Sequence, residues 1–166
     1  MRWVTHIAIA SLFIKLLEIA LLIDLTSFEF WVILSVYAVM PDFDTLIGIK
    51  HRTYTHTLYA AVLASLPLIF DLRLFITALT AYLSHLFADM LTVSGLMLLY
   101  PFKETTYHLL PAAWRIKTGS NTELLLFAMG FGIIVAYRLG VSYAPVYAFF
   151  ILIYFLRSSL FREIRK

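Results

Sequence analysis

Cysteine is absent from the 166-residue chain. This excludes a disulfide framework and any thiolate metal site, so a metal held here must take imidazole and carboxylate ligands. Charge is scarce too. Only 14% of the residues are charged and 62% are hydrophobic, whereas about a quarter of a soluble domain is charged. A soluble globular domain does not fit that balance, and the class that remains is integral membrane. No Pro/Ser/Gly-rich linker, charge block, low-complexity tract or internal repeat divides the sequence. One integral membrane domain over 1–166 is therefore expected. No small-residue cleavage site follows the first apolar run, so that run reads as a retained helix rather than a signal peptide.

What is present is a series of apolar runs with polar punctuation. About 20 apolar residues cross a bilayer as a helix, and shorter runs can do so when buried against neighbours. Six spans are expected, over 4–23, 28–40, 57–70, 74–99, 123–139 and 142–157. The second and third are short enough to be re-entrant. The expected fold is all-α, a polytopic membrane helix bundle. Asp24 to Glu29 is a polar turn, Pro41 stops the second helix, Asp71 to Arg73 is a tight connection, Pro101 to Thr122 is the long loop and Gly140 separates the last two spans. A cytoplasmic N-terminus then puts Arg2, Lys50, Arg52, Lys103, Arg115, Lys117, Arg157, Arg162, Arg165 and Lys166 inside, and only Arg73 and Arg138 outside. That bias predicts a multi-pass protein of the cell membrane with both termini cytoplasmic.

The ionisable residues cluster on that same face. They are His6, the run Pro41-Asp42-Phe43-Asp44, the run His51-Arg52-Thr53-Tyr54-Thr55-His56, and Ser84-His85-Leu86-Phe87-Ala88-Asp89. Such groups are costly near a bilayer and persist there mainly when they pair, bind a metal or do chemistry. His85 and Asp89 are four apart on a helix and share one face, with Thr92 a turn further on. Asp42 and Asp44 flank one residue after a proline stop, a spacing that lets both carboxylates face one point. His51 and His56 suit a loop end and the first turn of the third helix, and His6 enters from the first. The set offers four imidazoles and three carboxylates, enough for two divalent ions, with zinc the first choice and manganese or iron the others. Neighbouring carboxylates favour such a hydrolytic metal over haem. For any single residue the competing reading is interhelical hydrogen bonding.

These residues resemble the YdjM-like, membrane-bound, metal-dependent hydrolases. The resemblance rests on Thr5-His6, on Pro41-Asp42-Phe43-Asp44, on His51 through Leu58, and on Ser84 through Gly95. Tyr100-Pro101-Phe102 and Thr118-Gly119-Ser120-Asn121-Thr122-Glu123 add to it, so coverage runs from residue 5 to about 123. That family is similar to zinc phospholipases C and single-strand nucleases, which cleave phosphodiesters with clustered zinc ions. The resemblance implies phosphoester hydrolysis. The soluble relatives also bind metal through a processed N-terminal residue; this chain begins Met1-Arg2, and a third ion is not expected.

The expected chemistry is attack on phosphorus by a metal-activated hydroxide. Arg52, between two candidate ligands, is the expected phosphate clamp. Lys50, Arg115 and Lys117 are further phosphate contacts or, alternatively, topology determinants. Whichever of Asp42 and Asp44 is not a ligand would be the general base. Thr55 and Thr92 would orient imidazole or carboxylate, or else bond back to their own backbone. Glu123 closes a Ser120-x-x-Glu123 capping box, and the resemblance adds a role as an acid at the membrane face. Lys15 and Glu18, three apart, should pair. His108 has no close acidic neighbour and is left out. Phe and Tyr residues read as lipid-facing bulk and interfacial anchors. The bilayer and a lipid or polyprenyl phosphate are thus the expected partners, with nucleic acid a poor fit. Two other classes compete with the hydrolase: a divalent-metal carrier, which would place ligands near the midplane on repeated broken helices, and a metal-stabilised scaffold without turnover.

Overall fold

The structure is a computed structural model that describes residues 1–25 and 27–138. Those residues fold into five α-helices joined by short 3₁₀ turns, with two isolated β-bridges and no strand. The helices are α1 (Trp3–Leu21), α2 (Phe28–Val39), α3 (Leu58–Ser65), α4 (Leu72–Met90) and α5 (Asn121–Arg138). The sixth expected span, 142–157, lies outside the described residues, as do Gly140 and the four basic residues from Arg157 to Lys166. Among the described residues α1 is the one helix long and apolar enough by composition to cross a membrane. At 1.5 Å per residue its 19 residues extend about 28 Å, close to a bilayer's hydrocarbon thickness.

Local chemistry sets the boundaries. Leu22, in the left-handed region at φ 54°, ends α1. The Leu25 N–H beyond it donates to Glu18 Oε1 at 2.8 Å, and the same carboxylate pairs with Lys15, as its spacing predicted. Pro41 has no N–H to continue the ladder, and α2 gives way to a 3₁₀ turn over Met40–Thr45. Thr57 caps α3, accepting from the Ala60 N–H at 3.2 Å. Asp71 caps α4 through the Arg73 and Leu74 N–H groups.

The expected span over 74–99 is corrected: its helix stops at Met90. Thr92 and Val93 are β-branched, Gly95 takes φ 63°, and the backbone turns outward to pair with the long loop. Thr92 bridges Ile116 in parallel and Leu96 bridges Tyr107 antiparallel.

α4 is the central helix, packed against α1, α2 and α3, while α1 also packs against α2 and α5. Its buried residues Ala78, Ala81, Tyr82, His85, Ala88 and Asp89 recur at helical spacing. Three of them are alanines with no exposed surface, which lets neighbouring backbones approach closely. The α1–α5 crossing is also close. A Cβ on Gly130 would stand 2.9 Å from the Ala8 carbonyl oxygen, so only glycine fits without displacing α1.

Candidate metal centre

Three parts of the chain deliver the ionisable residues to one place. The first turn of α1 brings His6. The segment from Pro41 to His56 brings Asp42, Asp44, His51 and His56. The last turns of α4 bring His85 and Asp89. His6, His56, His85, Asp44 and Asp89 have no exposed surface and Asp42 almost none.

The innermost donors point at one another. His56 Nε2 lies 3.3 Å from His85 Nε2. Asp42 Oδ1 is 3.4 Å from the first and 3.5 Å from the second. Asp89 Oδ2 is 3.7 Å from His56 Nε2 and 3.9 Å from His85 Nε2. Four tetrahedral donors bound at about 2.0–2.2 Å stand about 3.3–3.6 Å apart. The observed edges match or slightly exceed that spacing. His6 stacks on His85 with ring centroids 3.7 Å apart, and its Nε2 is 3.7 Å from Asp89 Oδ1.

Hydrogen bonds behind the cage fix which atoms face inward. His85 Nδ1 is 2.8 Å from the Ala38 carbonyl oxygen; that contact needs the proton on Nδ1, which leaves an Nε2 lone pair for the cage. His56 Nδ1 is 2.9 Å from Thr55 Oγ1, which donates to Asp44 Oδ2 at 2.9 Å. Unprotonated nitrogens and carboxylate oxygens turned on one point repel each other unless a cation lies between them. Unpartnered atoms border it. Both ring nitrogens of His6, and Asp89 Oδ2, are buried without a hydrogen-bond partner, a costly state for polar groups. The donor set is imidazole and carboxylate, which suits zinc, manganese or iron.

Asp44 stands behind this cage. Besides Thr55 it accepts from His51 Nδ1 at 2.9 Å and from the Arg52 backbone N–H at 3.2 Å. His51 is the outermost of these groups, with 40% of its side chain exposed and Nε2 3.9 Å from Asp42 Oδ1. Burial alone would raise both carboxyls. For Asp42 the His56 imidazole beside it and the fields of His85, His56 and His51 outweigh burial. For Asp44 the hydrogen bonds from His51 and Thr55 do so, aided by the fields of His56 and His51. Both carboxyls are held below their ordinary range.

Other expected site residues fall elsewhere. The Arg52 guanidinium faces inward, donating to Asp89 Oδ1, Thr92 Oγ1 and the Gly95 carbonyl, each at 3.0 Å. Thr92 donates in turn to the Asp89 carbonyl at 2.7 Å, so it both bonds back to its helix and positions Arg52. Lys50 and Lys117 are exposed. Arg115 Nε donates to the Leu110 carbonyl at 3.2 Å. Glu123 Oε1 accepts from the Arg2 N–H and its Oε2 from the Gly119 N–H at 2.6 Å. It joins the start of α5 to the start of α1 and belongs to none of the metal-competent His/Asp groups among the described residues. Sequence reasoning missed the Ala38 and Gly95 carbonyls, which no side-chain pattern reports. It also missed Tyr82, whose hydroxyl donates to the Thr55 carbonyl; its place three residues before His85 on the same face was a usable signal.

A family model for the YdjM inner membrane protein matches residues 1–164, nearly the whole chain. The chain belongs to the YdjM inner membrane protein family. No curated protein and no solved structure matches it. Membership agrees with the resemblance carried by the His and Asp motifs and associates the chain with the lipid bilayer. Within this YdjM chain those motifs form buried His/Asp groups able to hold a metal ion.

Proposed function

We propose that this chain is a membrane-embedded, metal-dependent hydrolase that cleaves a phosphoester, of a lipid or polyprenyl phosphate, at the cytoplasmic membrane face. In this reading it is multi-pass, with both termini cytoplasmic. One observation carries it: His56 Nε2, His85 Nε2 and Asp42 Oδ1 stand together at ligand spacing, with Asp89 Oδ2 within 3.9 Å of both imidazoles and His6 stacked on His85.

His6, His56, His85, Asp42 and Asp89 would hold the ion, which when bound supplies an acidified water and pulls charge from a phosphoryl oxygen. The other residues act around it. Asp44 holds His51 by Nδ1 and reaches His56 through Thr55, fixing both rings. His51, exposed and backed by a carboxylate, is placed to carry a proton between solvent and the leaving oxygen. Asp42 Oδ1, which faces the cage, also stands 3.9 Å from His51 Nε2, and so links the proton-carrying ring to the ion's position. Arg52 steadies Asp89, and Lys50, Arg115 and Lys117 add positive charge toward an anionic headgroup.

A lipid substrate is supported by the segment that carries these groups. Between Asp42 and His51, the side chains of Phe43, Leu46, Ile47 and Ile49 are exposed, and apolar surface beside a membrane-face site fits an acyl or polyprenyl tail.

Elemental mass spectrometry of the detergent-purified protein tests the reading. Near-stoichiometric zinc, manganese or iron is expected in the parent, with clear loss in a His85→Ala, Asp89→Ala double variant and phosphate release from phosphorylated lipids by the parent alone. A parent that stays metal-free after dialysis against these ions sinks the mechanism.

A further inference from the structure

We infer that the centre holds one divalent ion rather than two, and that the Arg52 guanidinium fills the second cation position. The inference rests on the metal-binding reading above and departs from the two ions expected from the sequence.

The supply of donor atoms is the first argument. His56 and His85 each have one nitrogen to give, because the other is engaged by Thr55 and by the Ala38 carbonyl. Both free nitrogens converge on the same point as Asp42 Oδ1. Asp44, His51 and His56 also stand close enough together to hold an ion, but Asp44 is already engaged through both oxygens. Its Oδ1 is taken by His51 and its Oδ2 by the Thr55 hydroxyl and the Arg52 N–H.

Asp89 supplies the second argument. A carboxylate bridging two ions gives one oxygen to each. Its Oδ2 faces the cage without a hydrogen-bond partner, while Oδ1 accepts from Arg52 Nη2 at 3.0 Å and from the Met1 amine at 3.1 Å. The guanidinium is pinned there by Thr92 Oγ1 and the Gly95 carbonyl, both at 3.0 Å. Asp89 Oδ1, Thr92 Oγ1 and Gly95 O would suit a hard divalent ion. They surround an arginine head instead.

Charge agrees. Asp42, Asp44 and Asp89 carry three buried negative charges, of which Arg52 offsets one and a single divalent ion the other two. A second divalent ion would leave the pocket strongly positive, which burial penalises.

The test titrates the metal-stripped, detergent-solubilised full chain with Zn²⁺ and with Mn²⁺ and counts bound ions per chain. The parent should saturate at one ion, and Arg52→Lys likewise. Arg52→Ala, which vacates the position, should take up two at the same free metal. Two ions in the parent, or one in a folded Arg52→Ala protein, overturns the inference. If Arg52→Ala does not fold, the Mn²⁺-loaded parent still decides: an isolated-ion electron paramagnetic resonance spectrum supports one ion, and an exchange-coupled pair overturns it. A parent that binds no ion removes the hydrolase reading as well, whereas two ions removes this inference alone.

Discussion

Asp44 receives His51, Thr55 and the Arg52 backbone from behind the cage, so its influence on a bound ion passes through the histidines it orients. Partners of this kind typically change metal affinity 10–100-fold when removed. Asp44→Ala is therefore expected to weaken zinc binding by about that factor in competition with a chelator, and Asp44→Asn by less, since its amide can still accept from Thr55. The depressed carboxyls give a pH dependence of definite sign. A group whose folded pKa lies below its unfolded value stabilises the fold above the unfolded value, about 3.9 for aspartate, and that stability disappears as pH falls through the folded value. Thermal melts of the metal-free protein should lose stability in steps taken downward from pH 4, and Asp44→Asn should flatten that loss. An unchanged slope in Asp44→Asn would show that other carboxylates govern the acid limb.

Among the helices, α1 and α4 have different tasks. α4 supplies two candidate ligands from its final turns, and α1 brings His6 against them while resting on α5 at Gly130. Gly130→Ala places a methyl against the Ala8 backbone oxygen, two residues beyond His6. An overpacked contact of this kind costs about 1–3 kcal/mol, so a lowered melting temperature is expected, with weaker metal binding as α1 shifts. Leu124→Ala, on an exposed position of α5, should leave both unchanged. Gly95→Ala meets two obstacles: a positive φ, and His108 Cε1 only 2.4 Å from the new methyl. It should destabilise the fold and free the guanidinium that the Gly95 carbonyl holds. The legibility of each element follows from its chemistry. Pro41, Thr57 and Asp71 mark helix ends through backbone hydrogen bonding, and sequence carries that information. The true end of α4 was hidden because Leu91 to Leu99 is apolar enough to prolong a helix, while the pairing with Ile116 and Tyr107 that breaks it comes from more than ten residues away.

For the molecule as a whole, the motifs in the first 100 residues were enough to anticipate that His6, the two aspartates, the central histidines and the His85–Asp89 pair would meet. Their ranking was not legible. Two residues of the same type, Asp42 and Asp44, differ only in which way a 3₁₀ turn directs them. Arg52 reads as a free clamp until Asp89, Thr92 and Gly95 close around it, and no motif announces that Glu123 joins Arg2 to Gly119. Orientation across the bilayer has its own test, helped by the missing cysteines. A single cysteine at exposed Lys50 should react with a membrane-impermeant thiol reagent in inverted vesicles and stay unmodified in intact cells. The reverse pattern would place the centre on the outer face.

The position of Asp89 has a consequence for the life of the protein in a cell. Its carboxylate lies at the C-terminal end of α4, where the helix dipole disfavours negative charge, and its neighbours come from α1 and from the segment after α2. An ion bound there ties three separate stretches of chain together. Ligand binding stabilises a fold by about 2.7 kcal/mol when the free ion is at a hundred times its dissociation constant. Metal supply would then set how many copies survive as well as how many are active, because chains made during starvation would open more often and be offered to membrane proteases.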